Sequence, residues 1–230
     1  IFVESNNMEF GLSIKMNKAL YLRNPEESPI GKKIVRNGLL LMNKLGYEDF
    51  TFKKLAVEIH TTEATIYRYF ENKHRLLAYI MSWYWSVLEY NILFQTNHLQ
   101  KPDIKLKTII KLLCEKSREN PPDDELNIKA AYELLMREGS KTYLTNHVTS
   151  DNRNKLFKAY KDLCAHIANA ILEYQPRYKY PHTLATTIIE TSHSQKYFMQ
   201  YLPSLTDFKG TKDEKKLQLF LEHTLFNALK

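Results

Sequence analysis

The chain has 230 residues, 43% hydrophobic and 26% charged, with a net charge of +7. That balance describes a folded globular protein and argues against a disordered chain, and no apolar run approaches the roughly 20 residues of a membrane span. The most apolar window, Leu76 to Phe94, is interrupted by Ser82, Ser86, Glu89 and Asn91. A pI near 9.1 suits a polyanionic partner without demanding one. Between Pro29 and Tyr90, nine Lys and Arg face six Asp and Glu, so the positive charge is spread along the chain.

The elements can be read in chain order. Leu12, Ile14 and Met16 alternate with Ser13, Lys15 and Asn17, which predicts a partly extended N-terminal arm over 1–28. Met8 is read as the start, with Ile1 to Asn7 a remnant. Asn24-Pro25-Glu26-Glu27 predicts one helical turn. Ser28-Pro29 is an N-cap with proline at the first helical position. From there Ile30, Ile34, Leu41 and Leu45, with Gly38 and Met42, keep helical spacing to the stop at Gly46. Thr51 caps a second helix with Leu55, Ala56 and Ile59 inward, and Thr62 caps a third that ends near Phe70. A fourth runs from Lys73 to about His98. Further helices are predicted at about 102–118, 124–138, 151–174, 182–201 and 212–229. Breaks fall at Pro121-Pro122, Gly139-Ser140, Gln175-Pro176, Pro203 and Gly210. With no strand pattern after Pro29, the predicted fold is all-α.

The stretch from Thr51 to Leu77, TFKKLAVEIHTTEATIYRYFENKHRLL, has the order of caps and apolar anchors that lays a helix in a DNA major groove. It resembles the Tet repressor (TetR) family of transcriptional regulators. The matching residues are Gly46-Tyr47, Phe50-Thr51, Leu55-Ala56, then Thr65-Ile66-Tyr67-Arg68-Tyr69-Phe70-Glu71-Asn72-Lys73 with Leu76-Leu77. Leu45, Leu55, Ile66 and Phe70 are expected to form the core of this module. The resemblance implies a helix-turn-helix DNA-binding domain over 29–75 and a helical effector-binding and dimerisation domain over 76–230. It also implies that Thr51 and Lys73 contact phosphate, and that Tyr67 and Tyr69 lie against sugar and phosphate. Lys53 projects toward the groove edge. Thr61, Thr62, Glu63, Ala64 and Thr65 form the turn and the base-reading end of the recognition helix, and Ala64 is small enough to meet a thymine methyl. Arg68 is either a phosphate ligand or a solvated charge. Two residues depart from the family pattern: His60 stands where a turn glycine is usual, which calls for a left-handed backbone, and Glu63 puts a carboxylate near phosphates, either accepting from cytosine N4 or facing solvent as a cap.

The aromatics Trp83, Tyr84, Trp85, Tyr90 and Phe94, with Tyr132 and Phe157, are candidates to line a pocket for a small apolar or aromatic effector. Adjacent residues on a helix point about 100° apart, so Tyr84 and Trp85 cannot both face it. Two C-terminal stripes, Leu184, Ile188, Thr191, Gln195 and Phe198, and Leu217, Phe220, Leu221, Leu225 and Leu229, are expected to bury apolar surface in a homodimer. The dimer-interface candidates among them are Leu184, Ile188, Gln195, Phe198, Phe220, Leu221 and Leu225. The expected activity is repression, with a homodimer on a palindromic double-stranded DNA operator.

No nucleophile motif, nucleotide loop, cofactor motif or metal-ligand spacing is present, so no enzyme, cofactor or metal is expected. Glu190 and His193 sit at i, i+3, a spacing that could chelate with Glu222 or His223 and is read as a helix-surface pair. Cys114 and Cys164 cannot make a disulfide framework and are expected to be buried spectators in a reducing cytoplasm, since the N-terminus lacks a secretory pattern. The alternative reading is a helical protein–protein adaptor that has lost DNA binding.

Overall fold

The computed structural model describes residues 14–115, 127–209 and 213–230, and among these every regular element is helical. Helix α1 spans Pro29–Leu45, α2 Phe52–Glu58, α3 Glu63–Tyr67 and α4 Lys73–Thr96. Helix α5 spans Pro102–Cys114, α6 Ile128–Glu138, α7 Val148–Arg153, α8 Lys158–Tyr174, α9 Pro181–Tyr201 and α10 Glu214–Ala228. No described helix is long and apolar enough to cross a membrane.

Side-chain caps start the first four helices. Ser28 Oγ accepts from Gly31 N–H at 3.1 Å, Thr51 Oγ1 from Lys54 N–H at 3.2 Å, Thr62 Oγ1 from Thr65 N–H at 3.2 Å and Asn72 Oδ1 from Arg75 N–H at 2.9 Å. Each satisfies a donor that the first helical turn leaves unpaired. Gly46, at φ +81°, ends α1. Ile34, Met42, Leu55, Ile66 and Phe70 are fully buried and lock α1, α2 and α3 against the first half of α4, while Leu45 packs at the edge of this cluster.

Helix α4 runs through both hydrophobic clusters. Its N-terminal half completes the first cluster together with α6. A second cluster joins α5, α8, α9 and α10 to Ile92, and Trp85 and Leu88 pack against both. The expected boundary after residue 75 falls inside this continuous helix.

The segment 151–174 is two helices, where the sequence predicted one. The chain breaks between Arg153 and Lys158, with Lys155 at φ +59°. Just before the break Asp151 is buried and faces inward: Oδ2 lies 3.1 Å from His74 Nε2 and Oδ1 3.1 Å from Arg75 on α4. Leu156 turns into the core beside Ser82, whose hydroxyl donates to its carbonyl. The N-terminal arm, so far as it is described, is docked and carries two 3₁₀ turns. Lys18–Leu20 forms one and Pro25–Glu27 the other, as Asn24-Pro25 predicted. Leu22 N–H donates to Tyr69 O at 2.8 Å, and the Asn17 amide donates to the carbonyls of Asn154 and Lys155. Leu12 and Ser13 of the alternating run, the remnant expected at Ile1 to Asn7, the helix ends predicted near 118 and 124 and the breaks at Pro121-Pro122 and Gly210 lie outside the described residues.

Candidate nucleic-acid interface and ligand cavity

The turn between α2 and α3 sets the exposed face of the recognition helix. His60 adopts φ +55°, and Thr61 N–H returns to Ala56 O at 2.9 Å. Lys33 on α1 braces the turn by donating to Ile59 O at 3.0 Å. Thr62 and Ala64 then lie exposed, with Glu63 partly so at the first position of α3, where its charge opposes the helix dipole favourably. Thr61 and Thr65 are half-buried, the latter with its hydroxyl 3.0 Å from that of Thr62. Thr51, Lys53 and Arg68 are exposed around them. Tyr67 is 49% exposed, with its ring edge-on to Phe52 at 5.0 Å.

Two expected phosphate contacts are differently placed. Tyr69 is 2% exposed, with its hydroxyl 2.8 Å from Ser28 Oγ. Tyr69 lies in the turn just after α3, its N–H donating to Ile66 O, and this turn directs its ring into the core while Tyr67 stays outward. Lys73 directs Nζ inward, donating to the carbonyls of Tyr47, Glu48 and Phe50 at 2.8, 3.0 and 3.2 Å. Three carbonyls occupy the three donors of an ammonium, so its side chain positions the loop that presents Thr51.

A half-open cavity of about 220 Å³ lies between α4, α6, α8 and α9. Of the seven aromatics expected there, Trp85 and Phe157 line it. Trp83 and Tyr84 are buried elsewhere, Tyr84 between Trp85 and Tyr132. Tyr132 packs behind the cavity against His193. Tyr90 and Phe94 form an exposed stacked pair, 6.1 Å apart. Sequence reasoning missed Tyr143, Tyr160 and Tyr197, and took Phe198 for a dimer residue; all four line the cavity. Glu190 and His193, one turn apart on α9, both line this wall. The spacing seen in the sequence was the available signal. The Tyr160 hydroxyl donates to Glu190 Oε1 at 2.5 Å, and burial first, then Glu190, pushes that phenol above its ordinary range. His193 is held down to about 3 by burial and then by the charge of Lys196, so its imidazole is neutral at pH 7. Among the described residues no three His, Cys, Asp or Glu side chains converge on a metal position.

The cavity wall is joined to the head. Gly139, Ser140 and Thr142 line the cavity. Lys141, between them, reaches Glu48 at 2.7 Å and Glu138 at 3.0 Å, and Glu138 accepts from Tyr47 N–H at 3.0 Å. Tyr47 and Glu48 are two of the residues that hold Lys73.

Of the expected dimer residues, Leu184, Ile188, Leu221 and Leu225 are buried in the chain's own second cluster. Gln195 is half-buried and accepts from Thr206, and Phe220 stands 45% exposed.

Residues 34–80 match the family model of bacterial regulatory proteins of the tetR family. This match covers the DNA-binding module alone, about a fifth of the chain. Structures of the same fold extend over most of its length. AibR, solved with isovaleryl coenzyme A and operator DNA, superposes with a TM-score of 0.58 at 15% identity, covering 85% of this chain and 98% of that one. The fatty acid degradation regulator FadR from Bacillus halodurans gives 0.56 at 16% identity, covering 84% and 95%. A TetR-family transcriptional regulator from Bordetella parapertussis 12822 gives 0.55 at 15%, covering 88% and 95%. No curated protein sequence matches the chain. The TetR-type helix-turn-helix and an all-helical body are thus one fold.

Proposed function

We propose that this TetR-family chain is a transcriptional repressor that binds a palindromic operator as a homodimer and releases it when a small apolar or aromatic molecule fills the cavity. The observation that carries this reading is the outward face of α3: Thr62 and Ala64 are exposed and Glu63 partly so at the helix N-terminus, flanked by Lys53, Tyr67 and Arg68. Helix N-termini carry the residues that read base edges in this geometry, and exposed hydroxyls and cations position the backbone. Thr51 and Thr61 complete the set proposed to meet DNA.

A ligand regulates only if it favours one arrangement of the heads over another. The Glu138–Tyr47 and Lys141–Glu48 contacts give the cavity wall a direct purchase on the α1–α2 loop. For the dimer, the outer surface of α9 and α10 and the turn between them offers Tyr201, Leu202, Leu205, Leu219 and Phe220, all exposed in the single chain. A two-fold contact there would cover apolar surface left over after Leu184, Ile188, Leu221 and Leu225 close the core.

The test is selection of binding sites from a random DNA duplex pool, followed by footprinting. The expected result is an inverted repeat with half-sites about 34–36 Å apart along the helix axis. A single half-site, or no enriched sequence, would refute the dimeric operator reading.

A further inference from the structure

We propose that the cavity between α4, α6, α8 and α9 takes a lipophilic organic cation, an amine or quaternary ammonium on an apolar scaffold, with Glu190 as its counter-ion. The site rests on the effector reading above; the charge of the ligand is the new element.

Six aromatic side chains face this space: Trp85, Tyr143, Phe157, Tyr160, Tyr197 and Phe198. Their ring faces carry negative electrostatic potential and attract cations, ammonium groups above all. Among the described lining residues, Glu190, exposed at the cavity's edge, is the one carboxylate, and no Lys or Arg takes part, while burial keeps His193 neutral. The cations next in the chain to lining residues are placed elsewhere: Arg137 donates to Asn43 Oδ1, Lys155 is exposed and Lys158 pairs with Asp162. Lys141 reaches Glu48 and Glu138, and Lys196 directs Nζ to the carbonyls of Leu113 and Glu115. A carboxylate or phosphate entering the cavity would meet Glu190 with no lining cation to offset the repulsion. A cation would meet a carboxylate that Tyr160 already orients at 2.5 Å, within a cluster where Trp85 stands 4.7 Å from Tyr160 and 5.4 Å from His193. The apolar scaffold of such a ligand has Met81, Leu135, Met136 and Leu156 to pack against.

The test compares three probes on one scaffold by calorimetry on the full-length protein without DNA: 4-phenylbutyltrimethylammonium, 4-phenylbutanol and 4-phenylbutyrate. The cation should bind about tenfold or more tightly than the alcohol, with the carboxylate weakest. Glu190→Gln should remove the cation's advantage and leave the alcohol unchanged, and Glu190→Lys should reverse the order of cation and carboxylate. A carboxylate that binds as well as the cation, a cation preference that survives Glu190→Gln, or no saturable cation binding would each overturn the assignment. Cation binding with the stated preference supports it even where DNA affinity stays the same. That last result would overturn the effector reading alone.

Discussion

The ammonium of Lys73 rests on Tyr47, with Nζ 2.8 Å from the Tyr47 carbonyl oxygen and 4.6 Å from the centroid of its ring. This contact ties the start of α4 to the loop that ends α1, and Glu138 holds the same residue from the other side through its main-chain N–H. The sequence alone suggested a lysine directed at phosphate. The structure makes the side chain an internal brace instead. Lys73→Met should therefore lower stability by about 2 kcal/mol, the scale of hydrogen bonds from a charged donor. It should also weaken DNA binding about equally at all sequences and leave the salt slope unchanged. Chemical denaturation and salt-titrated binding of the same variant check both. A slope reduced by about two units, one per half-site, with unchanged stability would restore the phosphate contact.

The recognition helix invites a separate comparison. Lys53→Ala removes an exposed charge beside α3 from each half-site and should reduce the salt slope of the dimer by about two units with no change in the preferred sequence. Glu63→Gln should change the preferred base pair at one position of each half-site, by about 1–3 kcal/mol of discrimination. Identical selected sequences for Glu63→Gln and the parent would remove Glu63 from base reading and leave it as an N-terminal dipole partner.

His60 holds φ +55° in the turn, a conformation that costs a side chain roughly 1–2 kcal/mol and glycine far less. His60→Gly should raise stability by about 1 kcal/mol, read as an upward shift of the thermal midpoint. A lower midpoint would mean that the imidazole makes a compensating contact.

The neutral His193 has a consequence for acid stability. Its folded value of about 3 lies below the ordinary 6.5, so between these limits the unfolded chain binds a proton that the folded one refuses. Stability is intact above about pH 6.5 and falls as the pH drops through that window, by up to about 1.4 kcal/mol per unit from this group. His193→Gln should flatten the decline between pH 6 and 4, measured by urea unfolding at each pH. Parallel profiles for the two proteins would contradict the burial of this imidazole as a neutral ring.

The head of the molecule was legible in the sequence because its signals are local. Ser28, Thr51, Thr62 and Asn72 each cap a helix within three residues, and His60 announced its left-handed turn by standing where glycine is usual. The body was less legible because its signals are long-range. The break at Arg153–Lys158 follows Asp151, which meets His74 and Arg75, some 77 residues away in the chain for the first of these. An apolar stripe such as Leu184-Ile188 reads the same whether it meets its own domain or a second copy, and the structure assigns it to the former. The cavity drew on Tyr160, which follows that unforeseen break, and on Tyr143, which closes the turn after α6.

The salt dependence of binding to the selected operator tests the central claim, DNA recognition by the α2–α3 face, most directly. Each phosphate neutralised contributes roughly −0.9 to the slope of log affinity against log salt. A dimer using Lys53, Arg68 and the hydroxyls around α3 on two half-sites should give a slope steeper than about −3, with the selected operator bound far more tightly than an unrelated duplex. A slope near zero, or equal affinity for operator and unrelated DNA, would contradict the account.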